Sequence, residues 1–404
     1  MAKLDASQIT EEARHLGPLR LRVFKAAGLV GIVALAGSVL LGLGAHDRMQ
    51  RFGYTYLVSY CYFLSLSLGA LFFVALQHVT HSGWSVAVRR LAEIIAGNLW
   101  LLAVLVLPVL VLAPALYEWA DPTAVAGDHL LQQKQPYLNT AFFFGRCIGY
   151  VLIWALLARY FLTRSVRQDE TAEVGLTVRL EWAGGPALVV YAFTVTFAAF
   201  DLIMSLEAAW FSTILGVYFF AGSVVGFVAL ISLLAMCLQH GGRLTRAITV
   251  EHYHDLSKLL FAFTFFWAYI AFSQYLLIWY ANIPEETVWY LRRQQAPWGW
   301  LALVLLFGHF VLPFLGMISR AAKRRKAVLA FWSGWLLVMH WLDLYWLIMP
   351  RLSPQRLPFG LLDVLCFVGV GGLFVAGLVW VAGDRSLIPD KDPRLDESLA
   401  FENA

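Results

Sequence analysis

Long apolar runs dominate the pattern of this chain and recur ten times along it. The run at residues 259–280 has no charged side chain and, at a rise of about 1.5 Å per residue, is long enough to cross the hydrocarbon core of a bilayer. The predicted spans are residues 24–44, 54–77, 91–116, 137–161, 184–206, 212–239, 256–281, 297–318, 328–349 and 358–381. The sequence therefore predicts an all-α integral membrane protein with ten transmembrane helices.

The composition strengthens this prediction and excludes other classes of protein. Hydrophobic residues make up 60% of the chain and charged residues 14%, and the mean hydropathy is +0.69, which lies outside the range of soluble domains. The net charge of +4 is not gathered on one surface, so we expect no nucleic-acid partner. We expect an N-terminal tail at residues 1–23, a membrane domain at 24–382 and an acidic tail at 383–404, with the first span a retained helix.

The distribution of basic residues predicts the orientation. Of the 30 lysines and arginines, 22 fall in the two tails or in connections on the side of the N-terminus, seven fall on the other side, and Arg146 lies within a span. Because cytoplasmic loops carry the excess of positive charge, both termini are predicted to be cytoplasmic. The basic cluster at 320–326 and the acidic C-terminal tail have two interpretations, a topology signal beside a solvated tail or a docking surface for a partner.

Redox cofactors are not expected on this chain. No C-x-x-C or C-x-x-C-H motif is present, and the four cysteines are isolated, each within a span: Cys61, Cys147, Cys237 and Cys366. This pattern is not typical of iron–sulfur clusters or covalently attached haem. Only His309 and His340 lie deep enough to ligate a b-type haem, and one pair could hold one haem at most. No histidine or acidic spacing supports a metal site.

Ionisable residues inside the spans are the candidates for function, because each costs about 2.5–3.5 kcal/mol at mid-membrane. The proton-path candidates are Arg146, Asp201, His309, His340, Asp343 and Asp363. Four of them, Arg146, Asp201, His340 and Asp343, are predicted to form a polar path with waters in the periplasmic half. Arg146 and Asp201 have an equally open interpretation as a charge-neutral lock between adjacent helices.

Two of the other candidates also have structural interpretations. Asp363, in a first helical turn, is interpretable as a partner of the helix dipole. Pro313 cannot donate to the carbonyl of His309, which predicts a kink there, either a simple hinge or part of a conduction route.

A second group of polar residues is predicted at the cytoplasmic ends of the spans. It comprises His78, His81, Glu93, His252, His254 and Asp255. Such a group could feed protons into a half-channel. The alternative is a solvated surface at helix ends, which is the commoner outcome for charged residues in that position.

Five stretches carry a resemblance to a known family. They are DLSKLLFAFTFFWAYIAFSQYLLIWYANIPEETVWY at 255–290, YLNTAFFFGR at 137–146, SLEAAWFSTILGVYFFAGS at 205–223, GHFVLPF at 308–314 and MHWLDLYWLIMP at 339–350. In these stretches, which keep their order over about residues 54–350, the chain resembles the NrfD-like membrane subunits of alternative complex III, a bacterial quinol:cytochrome c oxidoreductase. Where relatives often carry Pro-His, this chain has Ala208 and Ala209, so no role of that histidine transfers.

The resemblance implies a fold, a location and partners. The fold is two four-helix bundles, helices 2–5 and 6–9, flanked by helices 1 and 10, and the location is the bacterial inner membrane. The implied partners are a sister NrfD-like subunit, an iron–sulfur subunit and c-type haem subunits. Electrons would pass from a quinol through those partners to cytochrome c or an equivalent carrier, with proton translocation coupled to quinol oxidation. Which quinone is used, and whether this subunit binds it, stay open.

Two further functions are compatible with ten helices and buried charges. A secondary transporter would explain them together with kinking prolines, although a pair of broken helices at corresponding places in two halves is not evident. A purely structural subunit would tolerate neutral replacement of every intramembrane charge.

Overall fold

The computed structural model describes residues 14–45, 47 and 49–403, and within these ranges the chain is helical without a β-strand. Residues 1–13 of the predicted N-terminal tail lie outside them. Ten helices are long and apolar enough to cross a membrane: α1 (Leu19–Gly44), α2 (Gln50–Val79), α3 (Val86–Val111), α4 (Thr140–Thr171), α5 (Val174–Leu206), α6 (Leu215–His240), α7 (Val250–Ala281), α8 (Trp298–Met317), α9 (Lys326–Leu352) and α10 (Leu361–Ala382). The predicted all-α fold with ten spans is confirmed.

Several helices extend past the predicted apolar runs. α4 continues ten residues beyond its predicted end at residue 161, and α5 begins at Val174 rather than at residue 184. These added turns carry arginines and glutamates, which a hydropathy window excludes but which are good helix formers in water. In α4 and α5 the apolar pattern thus gives the part of the helix that is suited to a membrane, and the charged turns extend the helix at its end.

Prolines interrupt two of the spanning helices. α3 consists of the helical segments Val86–Gly97, Leu99–Leu105 and Leu107–Val111, and the last of these has Pro108 in its first turn. α8 contains a π-helical turn at Leu306–Val311, directly before Pro313. The disturbance expected from Pro313 is therefore present, and it takes the form of a widened turn around His309.

Short helices occupy the ends of the spanning helices. They are Ala113–Leu116, Pro122–Gly127, His129–Lys134, Pro284–Gln294, Arg320–Lys323 and Leu395–Leu399, with 3₁₀ turns at Glu118–Ala120 and Met204–Leu206. The longest of them, Pro284–Gln294, connects α7 to α8. It contributes two buried side chains, Trp289 and Arg293, to the end of the helix bundle.

α2 is the central helix, buried along nearly its whole length. It packs against α3, α5, α6, α9 and α10, while α1 packs along α10 at the periphery. The approach of α2 to α6 requires a glycine, because a Cβ on Gly69 would lie 2.3 Å from the carbonyl oxygen of Ser223. α3 and α5 pack on α2, and α7 and α9 on α6, but α2 also packs directly on α6, so a division into two four-helix bundles stays a prediction.

The two described chain ends lie on the same face of the bundle, called here the terminal face. The backbone N–H of Leu387 donates to the carbonyl of Arg14 (2.8 Å), and Arg14 forms an ion pair with Asp390 at 2.6 Å. Leu395 and Leu399 are buried. The interpretation of the C-terminal tail as solvated is therefore wrong for much of its length, because its apolar residues pack on the helix ends. The opposite end of the bundle, which contains the connecting helix Pro284–Gln294 between α7 and α8, is called the hairpin face.

Candidate functional site

The carboxylate of Asp343 lies in the interior between α9, α6 and α7. Its side chain is 1% exposed, and it accepts hydrogen bonds from the hydroxyl of Tyr218 at 2.5 Å and from the indole Nε1 of Trp267 at 3.2 Å. Both donors are neutral, and no described residue forms an ion pair with Asp343. A carboxylate held only by neutral donors is a group whose protonation is open to change.

His340 lies one helical turn before Asp343 on the same helix. Its Nε2 is 2.7 Å from the hydroxyl of Ser65 in α2. With that hydroxyl donating its single proton to the carbonyl of Tyr62, at 2.6 Å, we assign His340 the tautomer in which Nε2–H is the donor of the pair. The other nitrogen, Nδ1, is buried and has no hydrogen-bond partner in the described chain.

The imidazole of His340 fits against α6 because α6 carries glycines there. A Cβ on Gly226 would lie 2.9 Å from Cδ2 of His340, and one on Gly222 would lie 3.0 Å from Cε1. Neither contact is sterically tolerable without movement of the ring or of the helix. The two glycines in this part of α6 thus make room for a polar side chain from α9.

His309 joins the same region through an aromatic contact. Its ring stacks on Trp267 with the centroids 3.8 Å apart and the planes 20° apart. Both ring nitrogens are buried without a hydrogen-bond partner among the residues the structure describes. Because Trp267 also donates to Asp343, one indole touches both groups. We call the set Ser65, Tyr218, Trp267, His309, His340 and Asp343 the interior cluster.

Arg146 and Asp201 form a separate and closed ion pair. Nε and Nη2 of Arg146 donate to the two oxygens of Asp201 at 2.9 and 2.8 Å, and Tyr150 donates to the same carboxylate at 2.9 Å. The guanidinium also lies over the rings of Tyr137 and Phe142. Within the described residues no direct contact joins this pair to the interior cluster, so the predicted four-residue path is not continuous through side chains.

Asp363 also has a partner that sequence did not identify. It forms an ion pair with Arg51, accepts a hydrogen bond from the backbone N–H of Gly360 at 2.8 Å, and lies 3.3 Å from the hydroxyl of Thr55. The contact with Gly360 fits the expected position in a first helical turn. The ion pair adds a tie between α10 and α2, which the dipole interpretation alone did not contain.

On the terminal face, Glu93 lies in a buried network. It is fully buried and pairs with Arg90 at 2.9 Å and with Arg89 at 3.5 Å. Arg90 also contacts Asp169 of α4 at 2.8 Å, and Arg89 pairs with Asp392 of the C-terminal tail. The interpretation of this residue as solvated surface is wrong, because the tail and α4 cover it.

The histidines of the terminal face differ in exposure. His78 is buried, with its ring stacked on Phe161 at 5.5 Å, and His252 is buried with Nε2 3.2 Å from Ser398. His81 is exposed and pairs with Glu181 at 2.9 Å. For His81 the solvated interpretation therefore fits, whereas for the two buried histidines it does not.

His254 and Asp255 at the start of α7 are also mostly buried, and Asp255 pairs with Lys258. No direct contact between these terminal-face residues and the interior cluster is found in the described chain. The structure therefore keeps the predicted cytoplasmic-side group apart from the deep histidines.

Sequence reasoning missed Arg293, which is 1% exposed at the hairpin face. Its guanidinium pairs with Glu207 at 3.1 Å, donates to the carbonyl of Leu347 at 2.8 Å and lies over the ring of Trp289. Burial lowers the pKa of Arg293 to about 10, and the charge of Glu207 opposes that decrease. Nothing in the sequence distinguished this residue, because it lies in a short connecting helix beside another arginine, Arg292.

Sequence reasoning also missed Tyr218 and Trp267, because aromatic residues fill most spans and nothing in their spacing distinguishes these two. They form part of the wall of a cavity of about 720 Å³ between α7 and α8. The cavity ends on the hairpin side at Tyr290, Arg293 and Gln294. The interior cluster is thus reached from the side of the bundle through an aromatic-lined space.

Comparison with models of known protein families and with curated proteins finds no match to this chain. The geometry therefore carries the functional argument. Among the described residues, no group of three or more histidine, cysteine, aspartate or glutamate side chains could hold a metal ion. What the interior cluster offers is a set of groups that exchange protons, enclosed in a membrane-embedded helix bundle.

Proposed function

We propose that this chain is an integral membrane subunit of a respiratory quinol:cytochrome c oxidoreductase, or of one using an equivalent carrier, and that its interior cluster conducts protons coupled to quinol oxidation. The observation that carries the proposal is the environment of Asp343. This carboxylate is buried, its hydrogen-bond donors among the described residues are two neutral groups, and it lies one helical turn from His340.

Physical chemistry supports the proton-conducting role. A buried carboxylate without a cation is expensive to keep in a membrane, so a protein that keeps one has a use for its change of charge. His340 supplies one nitrogen that donates to Ser65 and a second that is free to accept a proton. The Arg146–Asp201 pair is less suited to this role, because the carboxylate is already engaged by two hydrogen bonds from the guanidinium and one from Tyr150.

The resemblance described above supports the assignment to a complex. Redox centres would reside on partner subunits: iron–sulfur clusters on one and c-type haems on others, beside a sister NrfD-like subunit. This chain would contribute assembly surfaces and the proton path in a bacterial inner membrane, with the terminal face cytoplasmic. The seven basic residues of the hairpin side against 22 on the other support that orientation.

The proposal is tested in the assembled complex reconstituted into liposomes, by measuring electron transfer and proton release together. Asp343→Asn keeps the size of the side chain and removes the titratable group, so assembly should persist while protons released per electron decrease. His340→Gln should act in the same direction, whereas the matched variant His81→Gln, at an exposed histidine, should pump as the parent does. If the Asp343 and His340 variants assemble and pump at the parental ratio, the cluster is not a proton path.

A further inference from the structure

The lateral cavity between α7 and α8 opens towards the lipid. Its rim contains side chains of spanning helices that are about half exposed, among them Phe265, Tyr269 and Phe272 of α7 and Leu303 of α8. Its inner wall contains Tyr218 and Trp267, which are 5% and 4% exposed. A molecule dissolved in the bilayer could therefore enter sideways and reach the residues that hold Asp343.

We propose that this cavity binds an uncharged, ring-bearing isoprenoid lipid of the quinone class, with its ring at the inner wall and its chain towards the bilayer. The chemical class rests on the proposed function, whereas the existence of the site rests on the cavity itself. The site belongs to this subunit and is additional to any quinol site on a partner.

The lining selects for an apolar ligand with a flat ring. The volume of about 720 Å³ is within the range of about 300–1,000 Å³ that is usual for small-molecule sites. The wall is rich in aromatic rings, including Trp267, Tyr275, Tyr290 and Trp346. Aromatic side chains pack favourably on a planar ring in offset or edge-on arrangements.

The charges around the cavity argue against a phospholipid headgroup. Arg293 is the one cationic residue among the lining residues described, and Glu207 pairs with it. Its remaining donors are directed to the backbone carbonyls of Trp346, Leu347 and Trp289. Glu207 also pairs with Arg292, at 2.7 Å, so what argues against a phosphate is that the N–H donors of Arg293 are already engaged by Glu207 and backbone carbonyls.

The inner wall also favours the reduced form of the ligand. The hydroxyl of Tyr218 and the indole N–H of Trp267 already donate to Asp343, so neither can donate a hydrogen bond to a ligand. The phenolic oxygen of Tyr218 still accepts a hydrogen bond. A ring hydroxyl of a quinol supplies a donor for it, whereas a quinone carbonyl does not. A bound quinol would thus be hydrogen-bonded, through one phenol, to the carboxylate of Asp343.

The test uses the full-length chain in phosphatidylcholine nanodiscs. The probe is an azido-substituted short-chain quinone, which is photolysed and mapped by peptide mass spectrometry. We expect labelling of α7 and α8 peptides, displaced by decylubiquinol more strongly than by the oxidised form. Ala302→Trp and Ala268→Phe place bulk in the cavity and should each weaken binding by about tenfold. Leu156→Trp, on an exposed surface of α4, should change it by less than about twofold.

Labelling that is equal in the parent, Ala302→Trp and Ala268→Phe would overturn the proposal, and so would labelling not displaced by decylubiquinol. If one filling variant fails to fold, the other variant and the displacement still decide the matter. The outcome is separable from the proposed function. Loss of pumping in Asp343→Asn without cavity labelling would refute the site alone, whereas specific labelling with normal pumping in that variant would refute the proton path alone.

Discussion

The guanidinium of Arg146 donates two hydrogen bonds, of 2.9 and 2.8 Å, to the carboxylate of Asp201 and so connects α4 to α5. Tyr150 donates a third hydrogen bond to the same carboxylate. The pair is neutral as a whole and its polar atoms are satisfied, which is how buried charges are usually tolerated. Its geometry fits a charge-neutral lock between adjacent helices, which is one of the two interpretations that the sequence left open.

Breaking this lock should destabilise the protein. Asp201→Asn leaves the Arg146 guanidinium without its counter-charge, and the loss of one partner from a buried pair costs about 3 kcal/mol. We expect a lower unfolding midpoint in detergent and less assembled protein by fluorescence size-exclusion chromatography. Glu173→Gln is the matched control, because Glu173 pairs with Arg179 at the surface, where ion pairs contribute little. Equal midpoints for the Asp201 variant and the parent would rule out a structural role for the pair.

The hydrophobic pattern was sufficient to predict all ten spans, because burial in lipid is decided by residues adjacent in sequence. The proximity of His340 to Asp343 also follows from sequence, since a spacing of three residues in one helix is local. The pattern could not find Tyr218, which is 125 residues from Asp343 and meets it only through the packing of α6 on α9. Arg51 with Asp363 and Arg89 with Asp392 were missed for the same reason, because neither partner alone indicates the other.

Tyr218→Phe should alter proton release while preserving the fold. The substitution removes the hydroxyl that donates to Asp343 and leaves only the indole of Trp267 on that carboxylate. The ionised carboxylate of Asp343 then has one hydrogen-bond donor fewer and is less stable relative to its protonated form. The pH dependence of coupled proton release should therefore shift to higher pH. The measurement is the pH profile of proton release by the complex in liposomes. Tyr56→Phe is the control, because that hydroxyl donates to the carbonyl of Leu105 and not to a titratable group. A profile that is the same for both variants would exclude Tyr218 from the path.

The predicted orientation gives a direct test. Reporter fusions after Arg325 and after Ala404 should both be active in the cytoplasm, and a fusion after Asp128 should be active in the periplasm. Arg14 and Asp390 are in contact, so both described chain ends must lie on one side whatever that side is. A periplasmic signal from the Arg325 or Ala404 fusion would contradict the orientation inferred from the basic residues.

The absence of a redox cofactor from this chain is also a prediction. The purified subunit, separated from its partners, should show no haem absorption band and no stoichiometric iron. His309 and His340 are the only deep histidines predicted from sequence, and His340 donates to Ser65 while His309 stacks on Trp267. Optical spectroscopy and metal analysis of the isolated chain provide the measurement. Haem retained at one equivalent after separation would overturn the prediction and would make this histidine pair the candidate for its ligands.

The C-terminal tail should contribute to stability through Asp392. This residue is buried and pairs with Arg89, which also contacts Glu93, so the tail closes the buried network over the end of α3. Asp392→Asn would leave the two arginines of that network with less negative charge and loosen the tail. We expect a lower unfolding midpoint and faster hydrogen exchange at residues 387–400.

Asp384→Asn is a suitable control, because Asp384 pairs with Arg20 but is largely exposed. If exchange in the tail is as fast in the parent as in Asp392→Asn, the tail is not held by this contact.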